Sequence, residues 1–125
     1  MPVHQTLPRL VLALVVALSS LTAARSAAAS SETFRWQGQV APGQTVEVRG
    51  INGVVRAEPS SSGQVELTAV KTGREDDPRG VRIVVVPHPE GVTICAVYPD
   101  VDGERNECRP GGGGRNNVRD NDVQV

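Results

Sequence analysis

Residues 81–98, VRIVVVPHPEGVTICAVY, decide the fold class of this chain. Residues 81–86 and 92–98 are rich in valine and isoleucine, whose β-branched side chains favour extended, pleated backbone. The segment PHPEG at 87–91 interrupts both runs, because proline and glycine favour turns. The consecutive valines at 84–86 predict a strand that is buried on both faces. We therefore predict two well-formed strands here, as part of an all-β domain.

Five further segments show strand patterns of the same kind. They are residues 34–40 (FRWQGQV), 45–49 (TVEVR), 54–58 (VVRAE), 65–70 (VELTAV) and 117–125 (NVRDNDVQV). Alternation within TVEVR predicts that Val46 and Val48 point inward while Glu47 and Arg49 point outward. Residues 72–80 contain glycine, proline and consecutive acidic residues, which predict an exposed loop. No amphipathic helix is predicted, and candidate strands spaced by about ten residues favour an all-β domain.

Residues 1–29 have the features of an export signal. Arg9 precedes the apolar run LVLALVVAL at 10–18, and the alanines at 27–29 fit cleavage before Ser30. The run is about half of the roughly 20 residues that a spanning helix needs, so an uncleaved anchor is the weaker alternative. We expect a mature domain of residues 30–125, beginning with a short flexible lead, in the periplasm or outside the cell.

Composition limits both the core and the partners of this domain. The formal net charge is −1, and this balance provides no basic surface for nucleic acid. Phe34, Trp36 and Tyr98 are the three aromatic residues of the chain. The core must therefore consist mainly of valine, isoleucine, leucine and alanine. We predict that Trp36 belongs to this core, rather than to an exposed surface that stacks on a ligand.

The two cysteines, Cys95 and Cys108, predict a structural disulfide. Two cysteines in a small exported domain usually pair. A metal site would need two more ligands, and His88 is the single histidine after the leader. A redox pair usually has the C-x-x-C spacing, which these residues lack. We expect no metal and no cofactor.

No pattern of catalytic residues is recognisable after the leader. His88 lies between two prolines in a predicted turn, where we expect it to be exposed, and no G-x-S-x-G surrounds a serine. The glycines at 111–114 lack the lysine and hydroxyl residue of a phosphate loop, so a flexible loop is expected. The sequence thus predicts a protein that is not an enzyme.

A calcium loop was the remaining alternative for the acidic residues near the C-terminus. Asp100, Asp102 and Glu104 resemble part of an EF-hand loop, but that alignment places Arg109 where the bidentate glutamate is required. An irregular calcium site on the three carboxylates stays open as an alternative. A solvated turn is the better interpretation.

The order of the segments carries a family resemblance. FRWQG at 34–38 precedes VAPGQTVEV at 40–48, INGVVRA follows at 51–57, and the chain ends with NDVQV at 121–125. This order resembles the opening of a bacterial adhesin family, a domain of unknown function whose β-strand repeats stack as a solenoid. The resemblance implies parallel coils and an exported cell-envelope protein, an adhesin or scaffold that presents a binding surface. An alternative is a periplasmic envelope-stress or regulatory component acting through protein–protein contacts.

Two expectations depend on this resemblance. Local rules make Asn52 and Gly53 a hairpin turn between strands. The family instead implies that they turn the chain between coils, and we follow the family. Because alternation continues to Val125, we expect the domain to be incomplete at its C-terminus; a short edge strand at a natural end is the alternative. The partner, an envelope component or another protein, is not specified; we look for it first on the strand faces and the loop at 99–114.

Overall fold

A computed structural model describes residues 28–125, and these residues form an all-β structure. The strands are β1 (Ser30–Gln39), β2 (Thr45–Arg49), β3 (Gln64–Gly73), β4 (Arg82–His88) and β5 (Gly91–Val97). Two short 3₁₀ turns are present, at Pro78–Gly80 and Pro110–Gly112. The predicted leader, residues 1–29, lies outside the described residues except for its last two.

Strands β2, β5 and β4 form a three-stranded sheet in that order. β4 and β5 are antiparallel neighbours joined at the turn after His88, whereas β2 runs parallel to β5. Every residue of β5 is buried, because it is the central strand. The sequence assigned two-sided burial to the valines at 84–86, but these are half-buried because β4 lies at a sheet edge.

Strands β1 and β3 form a separate two-stranded antiparallel ribbon. Its pairing is continuous from Ser30 opposite Gly73 to Gln39 opposite Gln64. The predicted flexible lead is therefore wrong, because its residues pair with the end of β3. Neither sheet closes, and the described strands do not form repeated coils.

The buried apolar residues run along β5, and a cluster of them lies at its C-terminal end. Val81, Ala96, Tyr98 and Val123 form a buried cluster, in which no side chain is more than 2% exposed. Complete burial of a valine or larger apolar side chain contributes about 1.5–3 kcal/mol. The Tyr98 hydroxyl donates a hydrogen bond to the Val123 carbonyl at 2.7 Å. This bond fixes the C-terminal segment in the core.

The last predicted strand, residues 117–125, forms only an isolated bridge. Gln124 exchanges backbone hydrogen bonds of 2.8 and 2.9 Å with Thr72. The Val125 amide donates to the Asn52 carbonyl at 2.9 Å. The C-terminal segment thus links the ribbon to the loop after β2, through contacts between residues distant in sequence.

The predicted strand at 54–58 and the local hairpin rule are both wrong. No residue of this segment is in a strand, and Val54 is 78% exposed. β2 pairs with β5 rather than with the residues after Gly53. A Cβ at Gly53 would collide with the Val125 carbonyl oxygen, so this glycine permits a close backbone approach. The C-terminal segment therefore lies against the turn residues Asn52 and Gly53.

The predicted orientation of β2 is also wrong. Val46 and Val48 are 39% and 37% exposed, whereas Glu47 and Arg49 are half-buried. The disulfide loop provides the reason, since the Arg49 guanidinium donates to the Arg109 carbonyl at 3.1 Å. This loop lies against the polar face of β2 and leaves the valines partly uncovered.

Candidate binding surface

One face of the β1–β3 ribbon is apolar, and we call it the ribbon face. The alternation of β1 places Phe34 and Trp36 on this face. The register places Ala69 opposite Phe34, Leu67 opposite Trp36, and Val65 one pair further along. All five side chains are half-buried. The alternation was readable from the sequence, but the pairing that joins the two apolar rows was not.

Trp36 does not belong to the core, contrary to the sequence prediction. Its indole ring lies over Gly38, where a Cβ would collide with the ring. Because Gly38 has no side chain, the Trp36 ring can lie close against the β1 backbone at this position. Among the other strands and 3₁₀ turns, both ribbon strands contact the turn at Pro78–Gly80, and Thr72 also contacts the C-terminal segment through Gln124. Trp36 itself is half-buried.

The opposite face of the ribbon is polar and exposed. Arg35 and Gln37 of β1 lie there, with Glu66 and Thr68 of β3 as their neighbours. Gln37 donates a hydrogen bond to Glu66 at 3.5 Å. The ribbon therefore has one face suited to water and one face suited to an apolar contact.

A buried lysine anchors the base of the ribbon. The Lys71 ammonium lies 2.6 Å from a Glu32 carboxylate oxygen and donates to the Val81 carbonyl at 2.6 Å. The Lys71 side chain is only 5% exposed, whereas the Glu32 side chain is 43% exposed, so the ammonium is buried and the carboxylate reaches solvent. This cluster connects both ribbon strands to the core and limits movement of the ribbon at that end.

A second anchor holds the loop that follows the ribbon. The Asp122 carboxylate accepts hydrogen bonds of 2.9–3.1 Å from the backbone amides of residues 74–76. These bonds hold the pKa of the Asp122 carboxyl below its usual value. The Asp122 amide in turn donates to the Asp76 carboxylate at 2.9 Å. Asp76 in the acidic run therefore helps to hold this loop to the C-terminal segment, a role that the sequence pattern did not indicate.

The predicted disulfide is present: Cys95 of β5 is bonded to Cys108. Cys95 lies on the face of the sheet opposite the core cluster, so the bond fastens the loop at 99–116 across that face. Asn116 extends the attachment, because its amide donates to the Ala96 carbonyl at 2.9 Å and accepts from the Tyr98 amide at 3.1 Å. The Asn116 side chain thus bonds to the backbone of Ala96 and Tyr98, beyond Cys95, where the pairing of β5 with β2 ends.

Asn106 organises the interior of this loop, and sequence reasoning missed it. Its side chain is buried and donates to the carbonyls of Asn117, Pro99 and Tyr98 at 2.7, 2.9 and 3.3 Å. Its carbonyl oxygen accepts from the Asn117 amide at 2.7 Å. No sequence pattern distinguishes this asparagine from the exposed ones, because its partners are all backbone groups.

The carboxylates considered for calcium are separated by other bonds. The Asp100 carboxylate accepts from the Asn106 amide at 2.8 Å. Asp102 pairs with Arg119, and Glu104 pairs with Arg115. Within residues 28–125, no group of three or more histidine, cysteine or acidic side chains could hold a metal ion. The glycines at 111–114 lie partly in the second 3₁₀ turn.

His88 is largely buried, contrary to the prediction of an exposed residue. Its side chain is 15% exposed, and Nε2 lies 3.1 Å from the Thr93 hydroxyl. That hydroxyl donates its proton to the Glu47 carboxylate at 2.8 Å, so the His88 Nε2 must be the donor to Thr93. Thr93 is completely buried, so the hydroxyl is inaccessible to a substrate. The cluster joins three strands, β2, β4 and β5.

The comparisons with known proteins leave the family resemblance as a prediction. No family model, no curated protein and no solved structure matches the chain. In the part of the chain that the structure describes, no helix is long and apolar enough to cross a membrane.

Proposed function

We propose that this chain is a non-enzymatic, exported module of the bacterial cell envelope. It acts as an adhesin or scaffold that presents the ribbon face to a protein partner. The observation that carries the proposal is the position of Phe34, Trp36 and Leu67, which share one face of a ribbon outside the core. Two of the three aromatic residues of the chain thus lie on the ribbon face.

The energetics favour a partner that covers this face. A two-stranded ribbon is at best marginally stable in water without further packing. Phenylalanine and tryptophan side chains commonly dominate interface energetics. Trp36 is also pre-positioned by Gly38, so that little side-chain freedom remains to be lost on binding. A protein surface with an apolar pocket fits this combination.

Two different observations support the proposed architecture and the proposed compartment. The parallel pairing of β2 with β5 supports a β-repeat or solenoid relationship, since stacked coils pair their strands in parallel. The Cys95–Cys108 disulfide supports export, because disulfides persist mainly in oxidising compartments.

The test is binding of the purified chain to isolated bacterial envelopes. Trp36 is the single tryptophan, so its fluorescence reports the ribbon face directly. We expect saturable retention in the envelope pellet, with a blue shift of tryptophan emission as the ring leaves water. Protease treatment of the envelopes abolishes retention if the partner is a protein.

Variants on opposite faces of the ribbon provide the matched control. Phe34→Ser and Leu67→Ser should each weaken binding by about tenfold or more, since loss of a central apolar contact costs more than 1 kcal/mol. Val70→Ser alters a side chain that is 51% exposed on the other face, and should bind normally. Equal effects of Phe34→Ser and Val70→Ser would contradict the ribbon-face assignment. A folded chain that stays in the supernatant would contradict envelope binding altogether, and would favour the regulatory alternative.

A further inference from the structure

The outer edge of β2 offers unpaired backbone groups. In a parallel pair, the backbone groups of alternate residues face the same neighbour. The Thr45 amide donates to the Glu90 carbonyl at 2.9 Å, so Thr45, Glu47 and Arg49 face β5. The amides and carbonyls of Val46 and Val48 consequently point away from the sheet. No strand among residues 28–125 pairs with this edge.

The other edge of the same sheet, β4, is protected. It contains Pro87, which has no amide proton to offer a further strand. The Cys108 sulfur lies 3.9 Å from the Val84 carbonyl oxygen, so the disulfide loop is close to the β4 backbone. Proteins commonly shield sheet edges with prolines and covering loops. β2 contains no proline, and the disulfide loop lies against its polar face rather than along its outer edge, where its two valines are more than one-third exposed.

We propose that two copies of this chain associate through their β2 edges, antiparallel and about a two-fold axis at Val48. In this register Val48 faces Val48 of the partner subunit, and the two residues exchange both backbone hydrogen bonds. Glu47 then lies opposite Arg49 of the partner subunit. Such neighbours form a non-hydrogen-bonded pair, whose side chains approach more closely than those of hydrogen-bonded pairs.

Charge complementarity selects a second copy as the occupant. The two-fold axis places one acidic and one basic side chain opposite each other twice, because Glu47 and Arg49 are two residues apart on one face. They already form a weak pair within the strand at 3.7 Å, with side chains 34% and 30% exposed. Opposite charges across neighbouring strands stabilise their pairing. The two-fold arrangement also closes, so association stops at a dimer.

This inference is independent of the proposed function. A dimer would carry two ribbon faces, which would raise the avidity for an envelope that displays many partners. Association of the free chain, however, requires no partner. Envelope binding and dimer formation can therefore fail separately.

Analytical ultracentrifugation of the purified chain over a concentration series tests the dimer. Arg49→Glu and Glu47→Lys should each be monomeric, because each places like charges opposite one another at the axis. Their equimolar mixture should associate at least about tenfold more tightly than either variant alone, since both cross-strand pairs become opposite in charge. Circular dichroism of each variant verifies the fold. A wild-type chain that stays monomeric at all concentrations, or a mixture that behaves like its components, would overturn the proposal.

A cross-link provides a second test that leaves Glu47 and its Thr93 bond unchanged. Facing Cα atoms in a hydrogen-bonded antiparallel pair lie about 5.5 Å apart, within the usual range for a disulfide. Val48→Cys, oxidised after folding, should form a covalent dimer, whereas Val54→Cys should not. Val54 is a suitable control because it is highly exposed and lies outside the strand. Equal cross-linking of the two variants would indicate random collision and contradict the predicted axis.

Discussion

Removal of the Asn106 side chain should destabilise the chain far more than removal of the Asn117 side chain. Asn106 is 1% exposed, and its two shortest donor contacts, to Asn117 and Pro99, are 2.7 and 2.9 Å. Its oxygen accepts a third bond at 2.7 Å. Asn106→Ala removes all three and leaves their backbone partners unsatisfied. At about 1 kcal/mol or more for each bond, the expected loss is about 3–4 kcal/mol in the free energy of unfolding.

Urea unfolding followed by circular dichroism measures this loss. Asn117→Ala is the matched control, because Asn117 contacts Asn106 through backbone atoms and its own side chain is exposed. The control should lie within about 0.5 kcal/mol of the wild type. The disulfide should remain oxidised in all samples, so that the loop is closed equally in each.

A charged replacement distinguishes lost bonding from lost volume. Asn106→Asp has nearly the same shape, but it presents carboxylate oxygens to backbone carbonyls. The new carboxyl would have a raised pKa in the folded state, so its stability deficit should shrink as the pH falls towards 4. If Asn106→Ala were no less stable than Asn117→Ala, or if Asn106→Asp were insensitive to pH, the assigned hydrogen-bond network would be refuted.

Three further predictions concern the disulfide and the hydrogen bonds that stabilise the fold. Reduction of Cys95–Cys108 should lower the free energy of unfolding by roughly 3 kcal/mol, the chain-entropy value for a closed loop of about 14 residues, as measured by urea unfolding with and without reductant. Tyr98→Phe removes one buried hydroxyl bond and should cost about 1 kcal/mol in the same assay; an unchanged midpoint would refute that bond. The lowered pKa of Asp122 makes its contribution fully present above the ordinary carboxyl pKa near 4 and lost as the pH falls further. Asp122→Asn should therefore flatten the acid end of a pH–stability profile, and an unaltered profile would contradict the bonds from the backbone amides of 74–76.

The sequence by itself determined the all-β class and the position of most strands. Valine and isoleucine in alternating or continuous runs leave few alternatives to pleated structure, and this held for TVEVR and for both halves of residues 81–98. The disulfide was also predictable, because the chain contains only two cysteines and their spacing excludes the common redox motif. These are local or combinatorial properties, which require no knowledge of which strands meet.

Only the tertiary structure decided the pairing, and with it the inward and outward faces. Alternation shows that Val46 and Glu47 point in opposite directions, but the disulfide loop determines which direction is covered. Likewise, Asn52 and Gly53 form a good hairpin turn locally, yet the backbone of Val125 packs against these two residues and residues 54–58 form no strand. The scarcity of other large side chains predicted Trp36 in the core, but the separate β1–β3 ribbon holds it half-buried outside the core cluster. Contacts between residues that are distant in sequence determine these outcomes, and a local sequence pattern does not contain that information.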